Sequence, residues 1–136
     1  VTDAPDAMQL PTTNANDKDI AVKFDNVFFH YPTQPSNKGL KGVSFKTKRG
    51  TTTAIVGPTG AGKTTISCLF FHFYDALGGA IKVNGKDVRT VTQKSLRGAM
   101  GVVPQNAIMF NDAIWAKLPY GRRDATEEEL TALDYL

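Results

Sequence analysis

The sequence predicts an α/β fold built around a phosphate-binding loop, with an antiparallel β segment ahead of that loop and the α/β core left incomplete. Three observations predict it. Residues 57–64, GPTGAGKT, fit the spacing GxxxxGK[ST] without a mismatch. The run before them, TTTAIV (51–56), reads as a buried strand, and KTTISCLFFHFY (63–74) places Ile66, Leu69, Phe70 and Phe73 on one helical face. Upstream, IAVKFDNVFFHY (20–31) and LKGVSFKTKRG (40–50) alternate β-branched, aromatic and polar residues on either side of the breaker PTQPSNKG.

The loop is the most informative element. Gly57 lets the chain leave a strand through a tight turn, and Gly60 and Gly62 take backbone angles that a Cβ forbids, so N–H groups converge on one anion. The candidate cradle runs through Gly57, Pro58, Thr59, Gly60, Ala61 and Gly62, and continues into Lys63, Thr64 and Thr65. The helix that follows adds unpaired N–H groups and a favourable dipole. Lys63 supplies a mobile charge for the β and γ phosphates, and the Thr64 hydroxyl is placed to ligate the Mg²⁺ that bridges them. The pattern therefore predicts a nucleoside triphosphate site.

Composition sets the limits. With 136 residues, 41% hydrophobic and 21% charged, the chain is about one domain long and able to bury a core. The net charge of +3 comes from interspersed basic and acidic residues, with no Lys/Arg stripe, so no nucleic-acid partner is expected. Cys68 stands alone, which excludes an internal disulfide or a cysteine zinc site; on the apolar part of its helix it is expected to be a buried, inert thiol. No apolar run reaches the length of a membrane span, and the first residues lack the pattern of a secretory signal. The chain begins with Val1 and stops within a helical pattern, so both ends read as cuts in something longer.

Along the chain, residues 1–18 are polar, contain two prolines and lack an apolar period, which predicts a linker or tether. The domain spans residues 19–136. Leu77, Gly78 and Gly79 are expected to stop the helix after the loop, AIKVNGKDV (80–88) to form a short strand and turn, TQKSLRGAM (92–100) a helix, and MGVVP (100–104) a strand. Thr126 and Glu129 make a capping box ahead of Leu130, Leu133 and Leu136. His30 and His72 belong to no motif and are expected to be structural or exposed.

The order IAVKFDNVFFHYP, LKGVSF, GPTGAGKTT, FHFYDALGGAIKVNGKDV, SLRGAMGVVPQ and MFNDAIWAKLPYGR resembles the first half of an ATP-binding cassette (ABC) nucleotide-binding domain, of the type fused to exporter membrane domains. GVVPQNAIMFND followed by YGR is most similar to the subgroup of mitochondrial iron-sulfur-linked and heavy-metal-tolerance half transporters. The resemblance implies that Tyr31, within VxFxYP, is the A-loop aromatic that stacks on adenine. It implies that Gln105, directly after GVVP, is the Q-loop glutamine, whose amide oxygen ligates Mg²⁺ or orients water. It implies ATP and Mg²⁺ as cofactors, transmembrane domains on the same or a partner chain, and a second nucleotide-binding domain, in a homo- or heterodimer, that supplies the signature loop. An organellar membrane such as the mitochondrial inner membrane would be the setting. The stretch after Gln105 departs from the family's LFNDTIxxNI at Met109, Ala113, Trp115 and Lys117.

Two family motifs are not found in these residues. No LSGGQ occurs, and AIMFND (107–112) has Asn111 where a Walker B strand would place its magnesium Asp, with no Glu following. The catalytic set is thus incomplete, and the chain itself is expected to bind Mg-ATP without hydrolysing it while its parent is an ABC-type ATPase. A GTPase fits poorly, because Asn84-Gly85-Lys86-Asp87 displaces the lysine of NKxD. A small-molecule kinase usually begins at its phosphate-loop strand. The remaining alternative is a soluble ABC ATPase of DNA repair or translation.

Overall fold

The computed structural model describes residues 1–11, 19–35, 38–103 and 126. The chain divides into two units, Val1–Gly101 and Val102–Leu136, and the architecture below belongs to the first.

Four antiparallel strands form one sheet in the order β2-β1-β3-β4: β1 Ile20–Phe29, β2 Leu40–Lys48, β3 Gly78–Val83 and β4 Lys86–Asp87. The two upstream β runs are thus a pair, with Phe24 opposite Phe45 and Val27 opposite Val43. Their rings stack at 4.5 Å. β1 is half-buried from Ile20 to Lys23 and buried at Phe24, then exposes both Asp25 and Asn26 before Val27 and Phe29 turn inward again. Asn26, at φ 49°, is the extra residue of a bulge that shows in the register to both neighbours. The bulge keeps Phe24, Val27 and Phe29 on the core face although their spacing is not strictly even. Asn84 and Gly85, both at positive φ, make the tight turn between β3 and β4.

Helix α1, Lys63–Phe70, and helix α2, Gln93–Gly98, pack their Leu69 and Leu96 into the core formed with Phe24, Val27, Ile81 and Val91. Thr92 caps α2, its hydroxyl accepting from the Ser95 N–H. A single 3₁₀ turn, Val88–Thr90, joins β4 to α2 and is capped by Asp87.

Several expectations are corrected. Residues 51–56 form no strand and are exposed throughout; Val56 is 88% exposed. A run apolar on both faces needs neighbours on both sides, and among the described residues no strand pairs with it. Residues 100–103 likewise form no strand, and Pro104 lies outside the described residues. Helix α1 stops at Phe70, and Phe71, His72 and Phe73 turn away, with His72 at φ 55°. Phe73 is therefore half exposed instead of completing the buried face. Gly78 and Gly79 open β3 rather than stop a helix. Cys68 is only partly buried.

The first eleven residues, from the stretch expected as a tether, lie along the β4–α2 segment. Met8 bridges Val91 in parallel, its N–H donating to Thr90 O and its carbonyl accepting from Thr92 N–H, both at 2.9 Å. The Leu10 N–H reaches Ser95 Oγ at 3.0 Å, and Asp3 accepts from the Gln93 N–H at 2.9 Å. Glu129 and the leucines after it lie outside the described residues. Among the described residues no helix is long and apolar enough to cross a membrane.

Candidate functional site

The nucleotide-sized feature of the fold is a cavity of about 650 Å³ between two loops. One wall is the β1–β2 loop, with Tyr31, Gln34, Lys38 and Gly39. The other is the phosphate loop and first turn of α1, with Thr59, Gly60, Gly62, Lys63, Thr64 and Thr65. Leu40, the buried first residue of β2, explains why they meet. Its Cδ2 lies 2.8 Å from where a Cβ on Gly62 would stand, so the start of β2 packs directly under the turn that enters α1. A side chain at residue 62 would displace the Leu40 methyl and sit at a left-handed φ of 88°.

Gly60 and Gly62 have φ of 83° and 88°, the left-handed angles that the sequence pattern predicts. Gly62 is also the N-cap of α1 and offers no side chain to the first N–H groups, and no acidic residue occupies the first turn. Those donors are left for an anion. The Lys63 ammonium donates to the carbonyls of Gly57 and Pro58 at 2.7 and 2.8 Å. Both acceptors are neutral, and a phosphate oxygen would compete with them through a stronger, charge-assisted bond. Thr64 is exposed at the cavity surface.

Across the cavity Tyr31 is partly buried. Its ring meets Phe29 edge-on at 5.1 Å and 84°, and Tyr74 at 5.3 Å and 89°. Of the residues singled out from sequence, Tyr31, Thr59, Gly60, Gly62, Lys63, Thr64 and Thr65 line this one cavity. Gly57 and Pro58 act behind it through their carbonyls, and Ala61 donates its N–H to Pro58 O at 3.2 Å. Gln105 lies outside the described residues. Sequence reasoning missed Gln34 and Lys38. The available signal was their place in the breaker PTQPSNKG directly after Tyr31, which the pairing of β1 with β2 has to fold back toward the phosphate loop. Among the described residues no cluster of His, Cys, Asp and Glu could hold a metal ion.

The family model described as ABC transporter matches residues 40–134. The chain belongs to the ABC transporter family. This ABC chain is 44% identical over 132 residues to an ATM1-type heavy metal exporter of Novosphingobium aromaticivorans, covering 97% of the chain and 21% of that protein. It is 45% identical over 123 residues to the mitochondrial iron-sulfur clusters transporter ATM1 of Candida glabrata, covering 90% and 17% respectively. Among solved structures it matches a bacterial Atm1-family ABC exporter with ATP bound, at a TM-score of 0.83 and 44% identity, over 97% of the chain and 22% of that structure. The ABC chain therefore has the fold of the corresponding part of that exporter and spans about a fifth of the length of these relatives.

Proposed function

We propose that this chain is the ATP-binding portion of an exporter-type ABC nucleotide-binding domain, in which ATP binding and hydrolysis are coupled to transport across a membrane. The observation that carries the reading is that Tyr31 and Thr59, Gly60, Gly62, Lys63, Thr64 and Thr65 face one cavity. Adenine stacks on Tyr31, and the triphosphate lies over the N–H groups between Gly60 and Thr65 while Lys63 exchanges its two carbonyl acceptors for β and γ phosphate oxygens. The cradle fits such a group, since at Gly60 a Cβ would meet nothing within 4 Å and the first turn of α1 is uncapped. Thr64 and Gln105 would hold the Mg²⁺ that neutralises charge between those phosphates.

In this reading residues 19–136 supply a P-loop core with an antiparallel β subdomain ahead of it, and residues 1–18 are the linker into it, with residues 1–11 docked along the β4–α2 segment. Two such domains close head to tail, in a homo- or heterodimer, and the signature loop of each completes the other's site. Transmembrane domains of the same or a partner chain respond to that closure, which makes the assembly membrane-associated. Relatives described as mitochondrial transporters favour the mitochondrial inner membrane or another organellar membrane. Residues 1–136 bind Mg-ATP without turning it over, because their sequence carries no Walker B Asp-Glu pair to supply the general base.

ATP titration tests the reading. Lys63→Ala should weaken ATP binding by about a hundredfold or more, the scale of a lost charge-assisted contact to phosphate. Equal affinity in Lys63→Ala would overturn the site, and steady hydrolysis by residues 1–136 would overturn the inactive state.

A further inference from the structure

The ring on which the base would stack does not stand alone. Tyr31, Phe29 and Tyr74 touch one another, with centroid distances of 5.1, 5.3 and 5.5 Å. Phe29 is a core residue of β1, only 5% exposed. Tyr74 comes from the connection between α1 and β3, a segment that no phosphate-loop pattern includes, and it is 40% exposed.

That connection is fixed on both sides of Tyr74. Before it, the N–H groups of His72 and Phe73 donate to Leu69 O and Cys68 O at 3.0 and 2.9 Å. After it, the Leu77 N–H donates to Phe28 O at 2.9 Å, tying the segment back to β1. His72, 3% exposed and at φ 55°, pairs through Nε2 with Asp75 Oδ1 at 2.8 Å, bridging across Tyr74. Arg97 of α2 donates to Phe71 O at 3.2 Å. A surface tyrosine at the start of a loop samples several rotamers, and holding one before the ligand arrives removes that cost from binding.

We infer that Tyr74 is a positioning residue for the base end of the nucleotide site: its ring, held by the His72–Asp75 turn, sets the orientation in which Tyr31 meets a purine. The inference rests on the nucleotide reading above and deepens it. Tyr74 acts through Tyr31, so its loss weakens contact with the base and leaves contact with the phosphates unchanged.

Titration of the full-length protein with ATP and with inorganic tripolyphosphate separates these effects. Tyr74→Ala should raise the Kd for ATP about two- to tenfold, the scale of an edge-to-face aromatic pair, with the Kd for tripolyphosphate unchanged. Tyr74→Phe, which keeps the ring, should bind ATP as the native protein does. In a Tyr31→Ala background the Tyr74→Ala change should add nothing. If Tyr74→Ala does not fold, Tyr74→Leu fills the volume without an aromatic edge and carries the same expectation. Native-like ATP affinity, equal weakening toward ATP and tripolyphosphate, or additive effects of the two substitutions would each overturn the inference while leaving the nucleotide site standing. A native protein that binds no ATP overturns both.

Discussion

The wall of the cavity that carries Tyr31 hangs from a sheet whose first three strands pair along their length and whose core residues include Phe24, 1% exposed, and Val27, 0% exposed. The phosphate-side wall is entered through residues 51–60, which are all exposed and form no strand. Both stretches are rich in β-forming residues, so propensity does not separate them. What separates them is where the partner lies. β1, β2 and β3 find antiparallel partners among one another, whereas TTTAIV, apolar on both faces, has no neighbour among the described residues. Pairing, then, rather than composition, decides which wall of the site is preformed.

Two glycines with nearly the same backbone angle put that comparison at its sharpest. Gly79 opens β3 at φ 78° against the β1 bulge, where a Cβ would stand 2.2 Å from Asn26 O and 2.4 Å from Asp25 O. Gly79→Ala should cost about 2–4 kcal/mol of stability, combining left-handed strain with a backbone clash that no rotamer relieves. Gly60, at φ 83° in the phosphate loop, has nothing within 4 Å of the same position. Gly60→Ala should cost about 1 kcal/mol, the strain alone. Denaturant midpoints of the two variants measure the difference, and equal losses would show that the loop is as tightly embedded as the sheet.

Hydrogen exchange extends the contrast to the backbone. Without nucleotide, the ladder amides of β1, β2 and β3 should be protected, while those of residues 52–60 should exchange near the intrinsic rate. ATP at about a hundred times its Kd should then slow the amides of residues 60–65 by up to about a hundredfold, since they exchange only from the unbound state. A phosphate loop already protected before ATP is added would break the comparison.

How much of this was legible in the sequence follows from the same distinction. The GxxxxGKT spacing fixed the left-handed angles at Gly60 and Gly62 because only glycine takes them without cost, and alternation located β1 and β2 because their partners lie close in the chain. The end of α1 was misjudged. Ile66, Leu69, Phe70 and Phe73 keep a helical period, yet His72 turns into the left-handed region to reach Asp75, an exchange that periodicity does not register. The places of Gln34 and Lys38 at the cavity and of Tyr74 against Tyr31 were invisible for another reason: nothing in the spacing shows which segments a sheet brings together. Docking of residues 1–11 was hidden as well, because it runs through backbone groups and short polar side chains rather than an apolar stripe.

The smallest effect concerns charge at the far edge of the sheet. Asp87 caps the 3₁₀ turn after β4, and Arg89 holds it at 2.7 Å. Burial alone would raise this carboxyl, but hydrogen bonds from the Arg89 side chain and N–H, together with its positive charge, outweigh burial and leave it below the usual carboxylate value. A carboxylate depressed in the folded state stabilises the fold at neutral pH and down to its unfolded value, and that contribution is lost as pH falls through the lower folded value. Asp87→Asn should therefore cost up to about 1 kcal/mol at neutral pH, the scale of a partly exposed ion pair, since the amide oxygen still caps the turn. From about pH 4 downward the difference between the variant and the native chain should shrink, vanishing once pH is below the depressed folded value. Thermal midpoints across that range measure it, and ATP affinity, which depends on the other side of the molecule, should not move. A variant that loses ATP binding along with its acid sensitivity would show that the sheet edge and the phosphate loop are coupled, and the division between a self-paired wall and an unpaired one would no longer hold.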